Sequence, residues 1–447
     1  MGAGRNDRHR SIIGALCLAV TIGGVWLSAA PAVNLDPLFK RFWDARNPQE
    51  AARAGAELVR AKAPFDAVFS RLKQGRMYSA NVPRGVVHLS RRSGGVQYFY
   101  DVDVPRDYNP TRRYQVRVQL HGGVGREASD PRGDGSIGEL AGDEQIYIQP
   151  YAWRDAPWWT NVQLENLRAI LDSVKRTYNV DENHVALAGV SDGGTATYYF
   201  AMRDTTSYSS FLALNGFFLV LSNPLTGAEG ALFPNNFLNK PIFVVNGGED
   251  AKYPAVIVEP FVEHLQAAGV EMEYRPQPTA GHYTAWWPEV KDHFESFVRD
   301  HPRNPLPAKL TWESVVDPLA NRAHWLVIDK LNSSRDGARL PDIGDIVLGD
   351  DLQPASPKLF LQTTHFGRVD LVRTGNTVQA TTRGTSEFTL LISPDAFDLA
   401  QPIKVVANGR EVFNAPVQPS VATLVKWAAR DNDRTMLFAA ELHITLE

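Results

Sequence analysis

Cysteine is almost missing: one residue in 447, at Cys17. A single thiol excludes an intramolecular disulfide and any metal site built on several thiolates. Charge of one sign is also in short supply. Lys and Arg total 46 against 50 Asp and Glu, a net charge of -4. The chain therefore lacks the strongly basic balance expected of a nucleic-acid binder. Its longest early apolar run, residues 12–27, is short of the roughly 20 residues that span a bilayer. No phosphate-binding glycine loop, dinucleotide fingerprint or metal motif stands in a matching context, so no cofactor is expected.

What is present is globular: 44% apolar and 21% charged residues, in a chain long enough for two domains and a leader. Arg5, Arg8 and Arg10 precede the apolar run, and Ser28-Ala29-Ala30-Pro31-Ala32 follows it. Basic residues, an apolar stretch and then small residues read as a secretory signal peptide over 1–32. The expected location is secreted or periplasmic, the alternative an uncleaved membrane anchor. Cys17 lies in this leader, so a mature chain would carry no cysteine.

Residues 33–84 read as a helical extension packed on the domain that follows. Pro48 stands at a plausible first turn, and Phe65, Val68, Phe69 and Leu72 have helical spacing. From Gly85 the period changes to two, with strands at 86–89 and 97–104 flanking a Ser93-Gly94-Gly95 hairpin. Further strands are expected at 114–120, 145–149, within 210–221, at 241–246 and at 271–276. Helices are expected at 163–178, 258–268 and 287–299. Alternation of this kind predicts an α/β fold with a mostly parallel sheet and helices on both faces.

The centre of the pattern is Thr177 to Ala196. A turn over 180–183 leads into an apolar run, 184–190, suited to a strand buried on both faces. Gly189-Val190-Ser191-Asp192-Gly193 follows, then a helix-like stretch. Strand, G-x-S-x-G and helix together form a nucleophile elbow, with Ser191 exposed at a strained tip.

The wording YNVDENHVALAGVSDGG resembles the secreted esterase branch of the α/β-hydrolases, which includes polyhydroxybutyrate depolymerases, feruloyl esterases and acetyl-xylan esterases. It is less close to the catalytic domain of prolyl oligopeptidase-like peptidases. The resemblance covers about residues 85–300 and implies a Ser191, Asp250, His282 triad in that chain order. Asp250 lies where the family has H-G-x-x-D, with Asn246 replacing the histidine, and Glu249 is its competitor. His282 follows Ala280-Gly281, the family's setting for the base. His121-Gly122-Gly123 after the strand at 114–120 implies an oxyanion loop. Its Gly122 and Gly123 N–H groups would join that of Asp192, with His121 structural. Trp158 and Trp159 in one loop, and Trp286 and Trp287 after His282, are candidates for stacking on a sugar or phenolic acid, or else for packing.

A catalytic domain over 85–303 would end at a proline-rich linker, Pro302, Pro305 and Pro307. Strand-like segments at 309–312, 325–330, 358–363, 368–374, 377–382, 388–392, 403–407 and 411–414 suggest a β-sandwich-like domain over 304–447. A helix at 420–429 and a strand at 435–446 complete it. The triad closes before this linker, so the part up to 303 is expected to fold alone. The expected activity is hydrolysis of a carboxylic ester, on a carbohydrate-linked or polyester substrate. The alternatives are a serine peptidase and a non-catalytic surface binding protein. About 50 helical residues cannot build the propeller that precedes prolyl oligopeptidase-type catalytic domains.

Overall fold

A computed structural model describes Met1 and residues 34–128, 136–228, 230–333, 340–346, 358–360 and 365–446. The leader expected over 1–32 lies outside the described residues, apart from Met1. Among the described residues no helix is long and apolar enough to cross a membrane. Residues from Leu35 to Glu447 form one compact unit.

Its centre is an eight-stranded sheet in the order β1-β2-β4-β3-β5-β6-β7-β8. The strands are β1 (Gly85–Ser93), β2 (Val96–Val104), β3 (Tyr114–Leu120), β4 (Ile146–Pro150), β5 (Val180–Val190), β6 (Ser210–Leu214), β7 (Ile242–Val245) and β8 (Met272–Tyr274). β1–β2 and β2–β4 pair antiparallel; β4–β3 and all later pairs run parallel. Parallel strands need crossovers, and these are α4 (Asn161–Thr177), α5 (Asp192–Arg203) and α6 (Ala255–Ala267), with α7 (Trp287–Asp300) after β8. α4 turns Leu164, Leu167, Ile170, Leu171 and Val174 to the sheet, where α5 and the facing strand residues close the main core. α7 covers the other face through Val290, Phe294, Phe297 and Val298 against Ala186, Leu212, Phe243 and Val245. The α/β expectation is met.

The turn expected at 180–183 needs correction. Val180 already pairs with Tyr114, and the ladder resumes at Val185 opposite Val116, so residues 181–184 form an irregularity within β5.

The N-terminal helices are α1 (Asp36–Asp44), α2 (Pro48–Arg60) and α3 (Phe65–Gln74). The Asn47 side chain caps α2 by accepting from the Glu50 N–H, and Pro48 fits the first turn. Their apolar faces do not close on the eight-stranded sheet. Phe39, Phe42, Leu58, Val68 and Leu72 pack with Leu424, Val425 and Ala428 of α8 (Val421–Asp431), near the other end of the chain.

After α7 come β9 (Lys309–Ser314), β10 (Arg322–Ala323), β11 (Leu326–Leu331), β12 (Gly367–Thr374), β13 (Thr377–Arg383), β14 (Thr385–Ile392), β15 (Ile403–Ala407), β16 (Arg410–Ala415) and β17 (Ala440–Thr445). They form a five-stranded sheet, β16-β15-β13-β12-β9, and a four-stranded one, β10-β11-β14-β17. Pairing is antiparallel except between β13 and β15. The two sheets share one apolar core, Trp312, Val369, Leu371 and Val405 with Ile328, Phe388, Leu390 and Ile444. The strand expected at 358–363 is absent from its described part, where Lys358 and Asp345 form an isolated bridge. Residues 361–363 of that segment lie outside the described residues. The last strand begins at Ala440 rather than at 435.

The proline-rich stretch after α7 is not a free tether. Arg303 is buried, its backbone N–H donates to the Asn183 carbonyl, and its guanidinium reaches Asp433 at 2.7 Å and the Thr206 carbonyl at 2.9 Å. Arg434 holds Glu182 through two contacts of 2.6 and 2.9 Å. Ile343, Ile346, Leu359 and Phe360 belong to the main core of the α/β sheet. The expected boundary at 303 therefore falls inside continuous packing.

Candidate active site

β5 is Val, Ala and Leu from 185 to 188 and buried on both faces, so its end is rigidly placed. Ser191 follows with φ 55° and ψ -118°, a conformation that costs a non-glycine residue about 1–3 kcal/mol. Its neighbours hold it there: the Ser191 N–H donates to the Leu214 carbonyl at 2.9 Å, and the Thr195 N–H to the Ser191 carbonyl at 2.9 Å. The turn is tight enough to require glycine. A Cβ on Gly189 would lie 2.1 Å from the Gly193 carbonyl oxygen, and one on Gly193 2.3 Å from that of Leu120.

Ser191 Oγ lies 2.8 Å from His282 Nε2, and His282 Nδ1 lies 2.7 Å from Asp250 Oδ2. The loops carrying the acid and the histidine are laced together. Gly248 N–H donates to the Gln277 carbonyl at 2.8 Å and Glu249 N–H to that of Ala280 at 3.0 Å. Asn246, where the resemblance has histidine, donates to the Gly216 and Tyr253 carbonyls and so ties the acid's loop to the end of β6. The Asp250 side chain is fully buried, while that of His282 keeps 21% of its surface exposed. Burial opposes a charge on Asp250. The Tyr253 N–H, the His282 ring and the Lys252 N–H outweigh it and hold the carboxyl below its ordinary value. With Nδ1 facing this carboxylate, a neutral imidazole presents its Nε2 lone pair to the serine. Glu249 is exposed and lies away from the ring, so Asp250 is the carboxylate brought to His282.

The glycine loop after β3 passes over the serine. A Cβ on Gly122 would sit 2.8 Å from Ser191 Cβ, and Gly123 has φ +68°. The loop's carbonyls are held: Trp158 Nε1 donates to the His121 carbonyl, Arg126 to those of Gly122 and Gly123, and Arg154 to that of Gly125. The Asp192 carboxylate accepts from Val124 N–H at 2.9 Å. The N–H groups of Gly122, Gly123 and Asp192 have no partner among the described residues. They are free to meet an anionic oxygen beside Ser191.

His121 accepts from the Ala152 N–H on Nε2, which leaves Nδ1 to donate to the Gly122 carbonyl at 2.8 Å. Burial above all, with nearby Arg126 adding to it, pushes this histidine down to about 4. It is therefore a neutral support, as expected from its place in the loop.

The tryptophan expectation is corrected by burial. Trp158, Trp286 and Trp287 are 0%, 5% and 3% exposed, so their faces pack inside the protein and cannot stack on a substrate. Trp159 is half-buried against the main core. The residues nearest the relay that sequence reasoning missed are Tyr253, edge-on to the His282 ring at 5.8 Å, and Asn215, which fixes the Tyr283 carbonyl. Asn215 carried one readable signal, its place directly after a strand with a glycine following.

No protein-family model matches the chain, and no curated protein matches it. Some solved structures are similar to part of the chain. A thermostable esterase is 18% identical over 49% of this chain and 63% of its own, with a TM-score of 0.40. The apo form of Thermogutta terrifontis esterase 2 is 15% identical over 48% of this chain and 94% of its own, with a TM-score of 0.40. A ferulic acid esterase is 19% identical over 48% and 97%, with a TM-score of 0.38. This chain thus spans less than two thirds of the first of these. Likenesses this distant settle neither family nor substrate.

Proposed function

We propose that this protein is a serine hydrolase of the α/β-hydrolase kind that cleaves a carboxylic ester through an acyl-enzyme. The observation that carries the proposal is the relay from Ser191 through His282 to Asp250, set beneath a glycine loop whose Gly122 and Gly123 N–H groups are free, as is that of Asp192 at the start of α5. His282 Nε2 takes the proton of Ser191 as Oγ attacks the acyl carbon. The N–H groups of Gly122, Gly123 and Asp192 receive the charge on the carbonyl oxygen. His282 then returns the proton to the departing alcohol, and Asp250 holds the ring in the required tautomer and offsets its transient charge. Water, deprotonated by His282, repeats the attack on the acyl-enzyme and restores Ser191.

The resemblance to secreted esterases suggests a carbohydrate-linked or polyester substrate, and the sequence of residues 1–32 suggests export. The test is a panel of p-nitrophenyl acetate and butyrate, methyl ferulate, acetylated xylan and proline-containing peptides, run with the protein and with Ser191→Ala. Ester turnover that falls about 10⁴-fold in the variant supports the reading. Turnover of the peptides alone moves the protein to the peptidases, and ester turnover equal in both proteins refutes the mechanism.

A further inference from the structure

We propose a second binding site, for a tetrahedral oxyanion such as phosphate or sulfate, in a cleft at the opposite end of the central strands from Ser191. Arg113 precedes β3 at the edge where the strand begins, whereas the glycine loop and Ser191 lie where it ends. The length of β3, roughly 20 Å, separates the two sites.

The cleft holds about 520 Å³ and lies where three parts of the chain meet. α3 contributes Lys73, the stretch after α7 contributes Asn304, Pro305 and Leu306, and the C-terminal part contributes Arg373 of β12 and Asp395 of the turn after β14. Its charged lining is Lys73, Arg113, Arg373 and Arg434 against Asp395 alone. Two of these cations are already neutralised. Lys73 pairs with Asp395, and Arg434 is taken up by Glu182, Asn179 and the Val180 carbonyl.

Neither of the remaining two makes a direct ion pair with a described residue. Arg113 is exposed, with no hydrogen bond or ion pair to any described residue, and its nearby acid Asp181 is held by His184. Arg373 makes one hydrogen bond, from Nη1 to the Ala396 carbonyl at 2.8 Å. Its Nε is buried without a partner. Burial alone lowers its pKa, with no carboxylate to offset the cost of the charge. A partly buried guanidinium satisfied by one neutral carbonyl is a group whose hydrogen-bonding capacity is unmet. An oxyanion in the cleft gives Arg373 and Arg113 a shared counter-ion and charge-assisted hydrogen bonds. The volume exceeds that of one such ion, so the anionic group can be free or carried on a larger molecule.

The test measures thermal stability of the full chain against sodium sulfate and sodium phosphate, with sodium chloride at matched ionic strength. A saturable rise in Tm with either oxyanion and not with chloride is expected. Arg113→Gln, an exposed change that leaves the fold intact, should weaken the fitted affinity roughly tenfold, the worth of about one charge-assisted hydrogen bond. Arg113→Gln with Arg373→Gln should abolish the saturable response, with folding checked by circular dichroism. If the double variant does not fold, the Arg113→Gln titration decides alone. Glucose 6-phosphate run alongside distinguishes a free ion from a carried group: tighter binding than phosphate assigns the carried form, and binding no tighter assigns the free ion. Identical titrations for the protein and Arg113→Gln, or no response beyond that to chloride, overturn the proposal.

Discussion

Asp433→Ala should destabilise the whole protein although it lies far from the relay in sequence. Asp433 and Arg303 are side chains with 1% and 0% of their surface exposed, joined at 2.7 Å. Lys175, also buried, approaches the same carboxylate at 3.9 Å. Removing the acid leaves Arg303 charged, with the Asn183 and Thr435 side chains and the Thr206 carbonyl as neutral partners. Breaking a buried pair from one side costs about 3–5 kcal/mol. Net stability is about 5–15 kcal/mol, so from about a fifth to all of it is at stake. Burial opposes the charge on Asp433, but Arg303, Lys175 and Thr435 outweigh it and hold the carboxyl below its ordinary value. A depressed carboxyl gives stability that is present above its unfolded pKa, about 3.9, and is lost as pH falls through the folded one. Urea unfolding at pH 7 should thus show the full loss, and the gap between variant and parent should narrow below about pH 4. A loss under about 1 kcal/mol at pH 7 would refute the reasoning.

Other perturbations separate the parts of the structure. Glu313 is buried and pushed up to about 7, by burial first, with Arg368 opposing. The fold therefore loses stability as pH rises from about 4.5 to about 7. Glu313→Gln should be neutral in thermal melts at pH 5 and stabilising by up to about 3 kcal/mol at pH 8; equal stabilities at pH 8 would contradict this. Gly122→Ala places a methyl 2.8 Å from Ser191 Cβ, so ester turnover should fall at least about a hundredfold with the circular dichroism spectrum unchanged. Asp250→Asn should lower kcat by about 10⁴-fold and Glu249→Gln leave it within twofold; the reverse pattern would make Glu249 the acid. A chain ending at Arg303 should be insoluble, because it loses α8 from the N-terminal helices and Ile343, Ile346, Leu359 and Phe360 from the main core. Soluble, active protein would restore the expectation of an independent α/β part.

The elbow was legible in the sequence because its chemistry is local. Gly189, Ser191 and Gly193 have to be close neighbours in the chain for the turn to exist, and the apolar run before them reads directly as a buried strand. His282 and Asp250 were expected from the resemblance, by their places after successive strands, and they lie 2.7 Å apart. The integration of the last third was not legible, because its ties are long-range. Glu182 and Arg434 are 252 positions apart, and Arg303 and Asp433 130. Read alone, residues 180–183 look like a solvated turn, yet Glu182 and Asn183 receive two buried arginines there. The proline stretch misled for the same reason: composition reports chain stiffness, whereas Arg303 is fixed by what packs on it. Tryptophans near the catalytic loops suggested a substrate platform, but whether a ring faces solvent depends on neighbours outside its local pattern. Trp158 shows this, since its indole N–H supports the His121 carbonyl while its ring is enclosed.

In the proposed reaction Ser191 is the nucleophile, activated by His282. Labelling with a fluorophosphonate, followed by peptide mass spectrometry, tests it most directly. One adduct on Ser191, with labelling lost in Ser191→Ala and strongly slowed in His282→Ala, is the predicted result. An adduct on another residue, or labelling of Ser191→Ala at the parent rate, would contradict it.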